Sequence, residues 1–138
     1  MKKAFLEPEG NNSEMLIIGL ASSENDYKIA WLLNNYFEIN LTQHEEFSVN
    51  DDWDSTMFSV FSCKQTDHFF ILIKNRSSNS LLSVKNKNLD FILYFIFPKK
   101  AKNLTEILSL IKKIPEVRTA FEIKNDKVLE KIPGRLIF

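Results

Sequence analysis

Cysteine occurs once in this chain of 138 residues, at Cys63, so no internal disulfide can form and a reducing compartment is expected. Glycine occurs three times, at Gly10, Gly19 and Gly134, which leaves no glycine-rich loop to cradle a phosphate. Histidine occurs twice, at His44 and His68, with no pair at the helical spacing of a zinc site. No apolar run approaches the roughly 18 residues needed to span a bilayer; the richest, Phe91 to Phe97, has the length of a strand. The opening Met1-Lys2-Lys3-Ala4-Phe5-Leu6-Glu7 begins like an export signal, but its apolar stretch ends after three residues. These absences predict a cytoplasmic protein with no membrane partner, no metal and no cofactor. They also remove most of the inventory of a small enzyme.

What is abundant is core material: twelve phenylalanines, three tyrosines and two tryptophans. A chain of this length buries about two thirds of its unfolded surface and folds without staples, so residues 1–138 are read as one domain. Within it, residues 1–14 form a loose lead-in and residues 125–138 a tail that docks on the domain. The net charge of zero is unevenly spread. Residues 1–63 hold three lysines against eleven carboxylates, a net of −8, and residues 64–102 hold eight basic against two acidic residues, a net of +6. That asymmetry fits an anionic partner, or two surfaces of one domain that attract each other.

Apolar periodicity then orders the elements. Met15–Leu20 is a continuous apolar run, as in a strand covered on both faces. Ser23 with Asp26 three residues on predicts a capped helix start, followed by Tyr27, Ala30, Trp31, Leu33, Asn34 and Phe37 at helical spacing. Ile29, Leu32 and Tyr36 widen that stripe to more than half the helix, and Asn34-Asn35 marks a fraying end. A short strand is expected near residues 46–49, then a hairpin of Thr56–Cys63 and His68–Lys74, a short strand over Leu81–Val84, and a long strand over Leu89–Phe97. Asn103 caps a second helix with Leu104, Ile107, Leu108, Ile111 and Ile114 on one side, ended by Pro115; Val117–Ile123 is the last strand. The fold class is α+β, of order β-α-β(n)-α-β. It predicts a mainly antiparallel sheet with two helices packed on one face, a ferredoxin-like variant with an extra hairpin.

Candidate chemistry is sparse. Alternation places Asp90 on the face of Ile92, Tyr94 and Ile96, where a carboxylate needs a partner or an edge; it reads as a structural pair or as a binding group. His44 with Glu45, Glu46, Asp51, Asp52 and Asp54 has metal-donor atoms but no standard spacing, and reads as a solvated acidic loop. Cys63 reads as a buried thiol, His68 across the turn being its sole nearby base. Phe91, Phe95 and Phe97, rimmed by Lys85, Lys87, Lys99, Lys100 and Lys102, would suit stacked bases if they faced solvent. A sequence pI of 6.7 argues against nucleic acid.

The stretch Ser83-Val84-Lys85-Asn86-Lys87-Asn88-Leu89-Asp90-Phe91 resembles the motif of the IPExxxVDY family, small bacterial proteins without an established activity. Asp26-Tyr27-Lys28 with Trp31, Leu33 and Asn34 is similar to that family's first helix, and Thr119–Ile123 with Leu136–Phe138 to its last strand and tail. Ser83-Val84-Lys85 stands where the family has Ile-Pro-Glu, Leu89 and Phe91 replace valine and tyrosine, and Asp90 is the motif's identical residue. The resemblance implies a kind of protein and no reaction, and it marks Asp26, Trp31 and Asp90. The expectation is a non-enzymatic interaction or regulatory module with a protein partner, or a homodimer. The alternatives are a small-molecule sensor or minor enzyme with a site around Asp26, Tyr27, Trp31, Asp90 and Phe91, and RNA binding through sheet aromatics.

Overall fold

A computed structural model of the chain describes residues 13–48, 57–65, 68–77, 80–98 and 104–135. Six strands form one antiparallel sheet: β1 (Ser13–Ala21), β2 (Thr42–Ser48), β3 (Met57–Lys64), β4 (Phe69–Lys74), β5 (Phe91–Pro98) and β6 (Thr119–Glu122). Their order across the sheet is β2-β3-β4-β5-β1-β6, so β2 to β5 run as a meander while β1 sits between β5 and β6. Three helices complete the described residues: α1 (Asp26–Phe37), α2 (Leu104–Lys112) and α3 (Lys127–Arg135).

Strand alternation divides the apolar residues between two cores, because successive side chains point to opposite faces. Ile18 and Leu20 of β1, Phe61 and Cys63 of β3, Phe70 and Leu72 of β4, and Phe91, Leu93, Phe95 and Phe97 of β5 pack under α1 and α2. On the other face Ile17, Phe58, Val60, Phe69, Ile71, Ile73, Ile92, Tyr94 and Ile96 pack beneath Leu82, Leu89 and the α3 residues Leu129 and Ile132. Strands buried on both faces read as continuous apolar runs, which is why Met15–Leu20 and Phe91–Phe97 stood out.

Several expectations are corrected. The sheet carries helices on both faces rather than two helices on one, and the tail contributes the third. Nine residues containing Pro133-Gly134 give a weak helical signal, yet Asp126 caps them by accepting from Leu129 N–H at 3.1 Å. Pro133 has no N–H for the carbonyl four residues earlier; the Tyr94 hydroxyl donates to that Leu129 oxygen instead, at 2.8 Å. Leu81–Val84 forms no strand, only an isolated bridge between Leu81 and Arg76. The cap of α1 is Asn25, whose side chain accepts from Lys28 N–H, rather than Ser23. Asn34 does not fray the helix end: its side-chain oxygen accepts from Leu41 N–H at 2.6 Å and its amide donates to Leu41 O, holding the exit from α1. Glu38 closes that exit in the left-handed region at φ 55°. The predicted cap Asn103, the tail end Leu136–Phe138 and the acidic residues Asp51, Asp52 and Asp54 lie outside the described residues; His44, Glu45 and Glu46, expected in the same loop, belong instead to β2.

Gly19 shows how tightly the second face is covered. A Cβ there would collide with the Leu89 side chain and approach Ile123 Cδ1 at 3.0 Å. The segment between β4 and β5 therefore lies directly on β1, and glycine is what admits it.

Candidate functional site

Three places hold the residues of interest: the outward face of α1, the end of the sheet around Asp90, and a pocket at the opposite end.

On α1, Ile29, Ala30, Leu32 and Leu33 are buried, which turns Tyr27 and Trp31 outward; they are 60% and 58% exposed. Tyr27 and Trp31 thus leave the expected stripe, which stays broad through Ile29, Ala30, Leu32 and Leu33 with Tyr36 and Phe37 packed beside them. Four residues apart, the two rings lie on one face, and each is held. The Tyr27 hydroxyl donates to Gln43 Oε1 at 2.7 Å and its ring meets Phe61 edge-on with centroids 5.5 Å apart. Lys28 Nζ lies 5.4 Å from the Trp31 ring centroid, within cation–π range. Beneath them Asp26 accepts from the Ser59 hydroxyl at 2.7 Å and from Tyr27 N–H, tying the helix start to β3.

Asp90 precedes β5 instead of standing on its face, and it joins three segments. Its carboxylate accepts from Ser22 N–H at 2.8 Å, while Arg118 Nη2 and Arg76 Nε lie 3.6 and 3.9 Å from its oxygens. Its own N–H donates to Leu20 O, and its carbonyl accepts from Asn75 N–H. The two arginines are over half exposed, so the ion pairs are weak and the Ser22 bond dominates. Asp90 shares no partner with Asp26, Tyr27 or Trp31 in these contacts. The sequence had grouped them; the fold uses them separately.

The segment that delivers Asp90 is fixed by a buried polar cluster with no signal in the sequence beyond its asparagines and serines. Asn75, fully buried, donates to Leu89 O at 2.8 Å and to Asn86 O at 3.1 Å and accepts from Ser83 N–H. Ser83 Oγ donates to Asp126 Oδ2 at 2.5 Å, and Asn86 Nδ2 donates to both. Arg76 donates to Lys87 O and Lys85 Nζ to Asn125 O. Hydrogen bonds of this number explain how so polar a segment can lie on an apolar sheet. Buried Tyr94 adjoins the cluster; burial, with the nearby negative charge of Asp126, holds its hydroxyl well above its ordinary pKa.

The aromatic surface imagined for nucleic acid is absent here: Phe91, Phe95 and Phe97 are buried under α1 and α2. Lys85 and Lys87 are on the segment covering the other face, and Lys99, Lys100 and Lys102 lie outside the described residues. Among the described residues no three histidine, cysteine or acidic side chains converge as a metal site would require, and no helix is long and apolar enough to cross a membrane. Cys63 is buried, opposite Phe70.

At the far end of the sheet, Phe37 and Ile39 from the end of α1, Ile107 of α2, Phe70 and Phe95 of the sheet, and Gln65 and His68 of the β3–β4 turn line a pocket of about 130 Å³. His68 is half-buried, its ring stacked parallel on Phe70. The pocket's residues come from four elements, which no local pattern could have assembled. No family model matches the chain, and neither does any curated protein.

Proposed function

We propose that this chain is a non-enzymatic protein-interaction module of the cytoplasm that binds its partner, or a second copy of itself, through the outward face of α1. One observation carries the reading: Tyr27 and Trp31 stand side by side in solvent on a helix whose opposite side is buried. Tyrosine and tryptophan are the residues that most often anchor interfaces. Rings already oriented by Gln43, Phe61 and Lys28 lose less freedom on binding. The kinship with the IPExxxVDY family belongs to this proposal too. What supports it is that Asp90, the motif residue retained, is the one on which β1, β4 and the Arg118 segment meet. The ferredoxin-like reading rests likewise on the order β4-β5-β1-β6, with β2 and β3 as the added hairpin.

The test compares the wild-type chain with Tyr27→Ala and Trp31→Ala. Sedimentation over a concentration series reads self-association, and a nuclease-treated pull-down with stoichiometry by mass spectrometry reads a heterologous partner. Loss of a stoichiometric complex in both variants, with folding intact, is the expected result. A strictly monomeric wild type whose co-purifying proteins are unchanged by either substitution would sink the proposal.

A further inference from the structure

We infer that the pocket between the end of α1, the start of α2 and the sheet is a binding site for a small neutral molecule built on one aromatic ring with a hydrogen-bonding substituent. The argument starts from size. The pocket's 130 Å³ is close to the roughly 150 Å³ of an apolar protein cavity that accepts benzene. It holds one ring and little more.

The walls specify the ring. Phe37 and Phe70 each meet Phe95, at centroid distances of 5.4 and 5.0 Å with planes inclined by 57° and 82°. Such tilted rings offer both faces and edges, the geometry in which a further aromatic is held. Ile39 and Ile107 close the apolar lining. Among the described residues, polarity enters from the β3–β4 side. Gln65 and His68 flank the β3–β4 turn, where Gln65 N–H donates to His68 O at 2.8 Å. Of the described lining side chains these two are the polar ones. The imidazole lies parallel to Phe70, with centroids 6.2 Å apart, so a ring lying along this wall brings its substituent to the turn.

Five of the seven described lining residues are apolar and none is an acid, a lysine or an arginine, which favours a neutral ligand over a charged one. This inference goes beyond the interaction reading and is independent of it: Tyr27 and Trp31 take no part in the pocket, so Trp31→Ala should leave ligand binding unchanged.

Phenol and toluene are the probes, since they have equal numbers of heavy atoms and differ in the polar group. The full chain is titrated with each while methyl and aromatic NMR signals are followed. Saturable shifts centred on Phe37, Phe70, Phe95 and Ile107 are expected, with phenol dissociation constants of about 0.1–1 mM, as suits so small a ligand. Phenol should bind roughly 3–10-fold more tightly than toluene, the value of one net hydrogen bond. His68→Phe and Gln65→Leu together should abolish that preference without abolishing binding. Ile39→Trp, which fills the pocket, should abolish binding of both probes. Absence of saturable shifts, or shifts centred elsewhere on the wild-type chain, overturns the site whether or not the filled variant folds. Equal affinity for the two probes overturns the assignment of the polar side.

Discussion

Removing one oxygen from Tyr94 tests how the third helix is attached to the sheet. Tyr94 is wholly buried, and its hydroxyl serves the Leu129 carbonyl that Pro133 leaves without a helical donor. Tyr94→Phe keeps the ring and its packing but strands that carbonyl. The loss should be about 1–3 kcal/mol, above the net worth of an average hydrogen bond because a buried acceptor is left unsatisfied. Urea denaturation with an unchanged slope is the assay. Pro133→Ala provides the control, since alanine brings back an N–H for Leu129 O; in that background Tyr94→Phe should cost clearly less. The same residue gives a pH signature. Burial holds the phenol protonated in the folded state beyond its ordinary value of 10.0. Its contribution is therefore fully present below pH 10, and above it the unfolded chain releases a proton that the folded chain retains. Stability from this group falls as pH rises from there toward the raised folded value, by up to about 1.4 kcal/mol per pH unit. Tyr94→Phe should lack that component. An equal cost of Tyr94→Phe with and without the Pro133→Ala substitution would refute the reasoning.

Substitutions at Gly19, Leu89 and Asp90 examine the covering segment. Gly19→Ala should destabilise by about 1–3 kcal/mol, because the new methyl meets Leu89 and Ile123 inside a packed face; Leu89→Ala should lose part of its own cost in the Gly19→Ala background, read by a double-mutant cycle in urea. Asp90→Ala should cost about 1–2 kcal/mol through the unsatisfied Ser22 N–H. Asp90→Asn, which keeps an acceptor, should cost less. A strong salt dependence of the Asp90→Ala difference would show that the arginine pairs, rather than the Ser22 bond, carry it.

The elements of the sheet were legible where burial imposed a period. β1, α1, the β3–β4 hairpin, β5, α2 and β6 all appear near their expected places, since each has an apolar run or stripe that only one secondary structure can bury. Helix α3 was illegible because its stability is tertiary: a proline whose lost bond is replaced by Tyr94, thirty-five residues away from the carbonyl it serves. The segment 75–90 was illegible for a related reason, as Asn75, Ser83, Asn86 and Asp126 satisfy one another only once folded. Trp31 misled in the other direction. At helical spacing a large aromatic usually marks the core, and here it faces water.

The position of β1 in the sheet bears on how the chain is made. It leaves the ribosome before the other described strands, but both its neighbours, β5 and β6, are synthesised 70 or more residues later. The β2–β5 meander pairs each strand with the next and can close as it emerges. β1 joins β5 only after the meander, by a long-range pairing of the kind that slows folding, and β6 then adds to the other edge of β1. Until then the nascent chain carries two apolar strand edges, β1 and β5, each the other's partner. A pause in translation soon after β5 would favour their pairing within one chain over pairing between neighbouring chains on the same message, a competition in which synthesis rate, rather than final stability, decides yield.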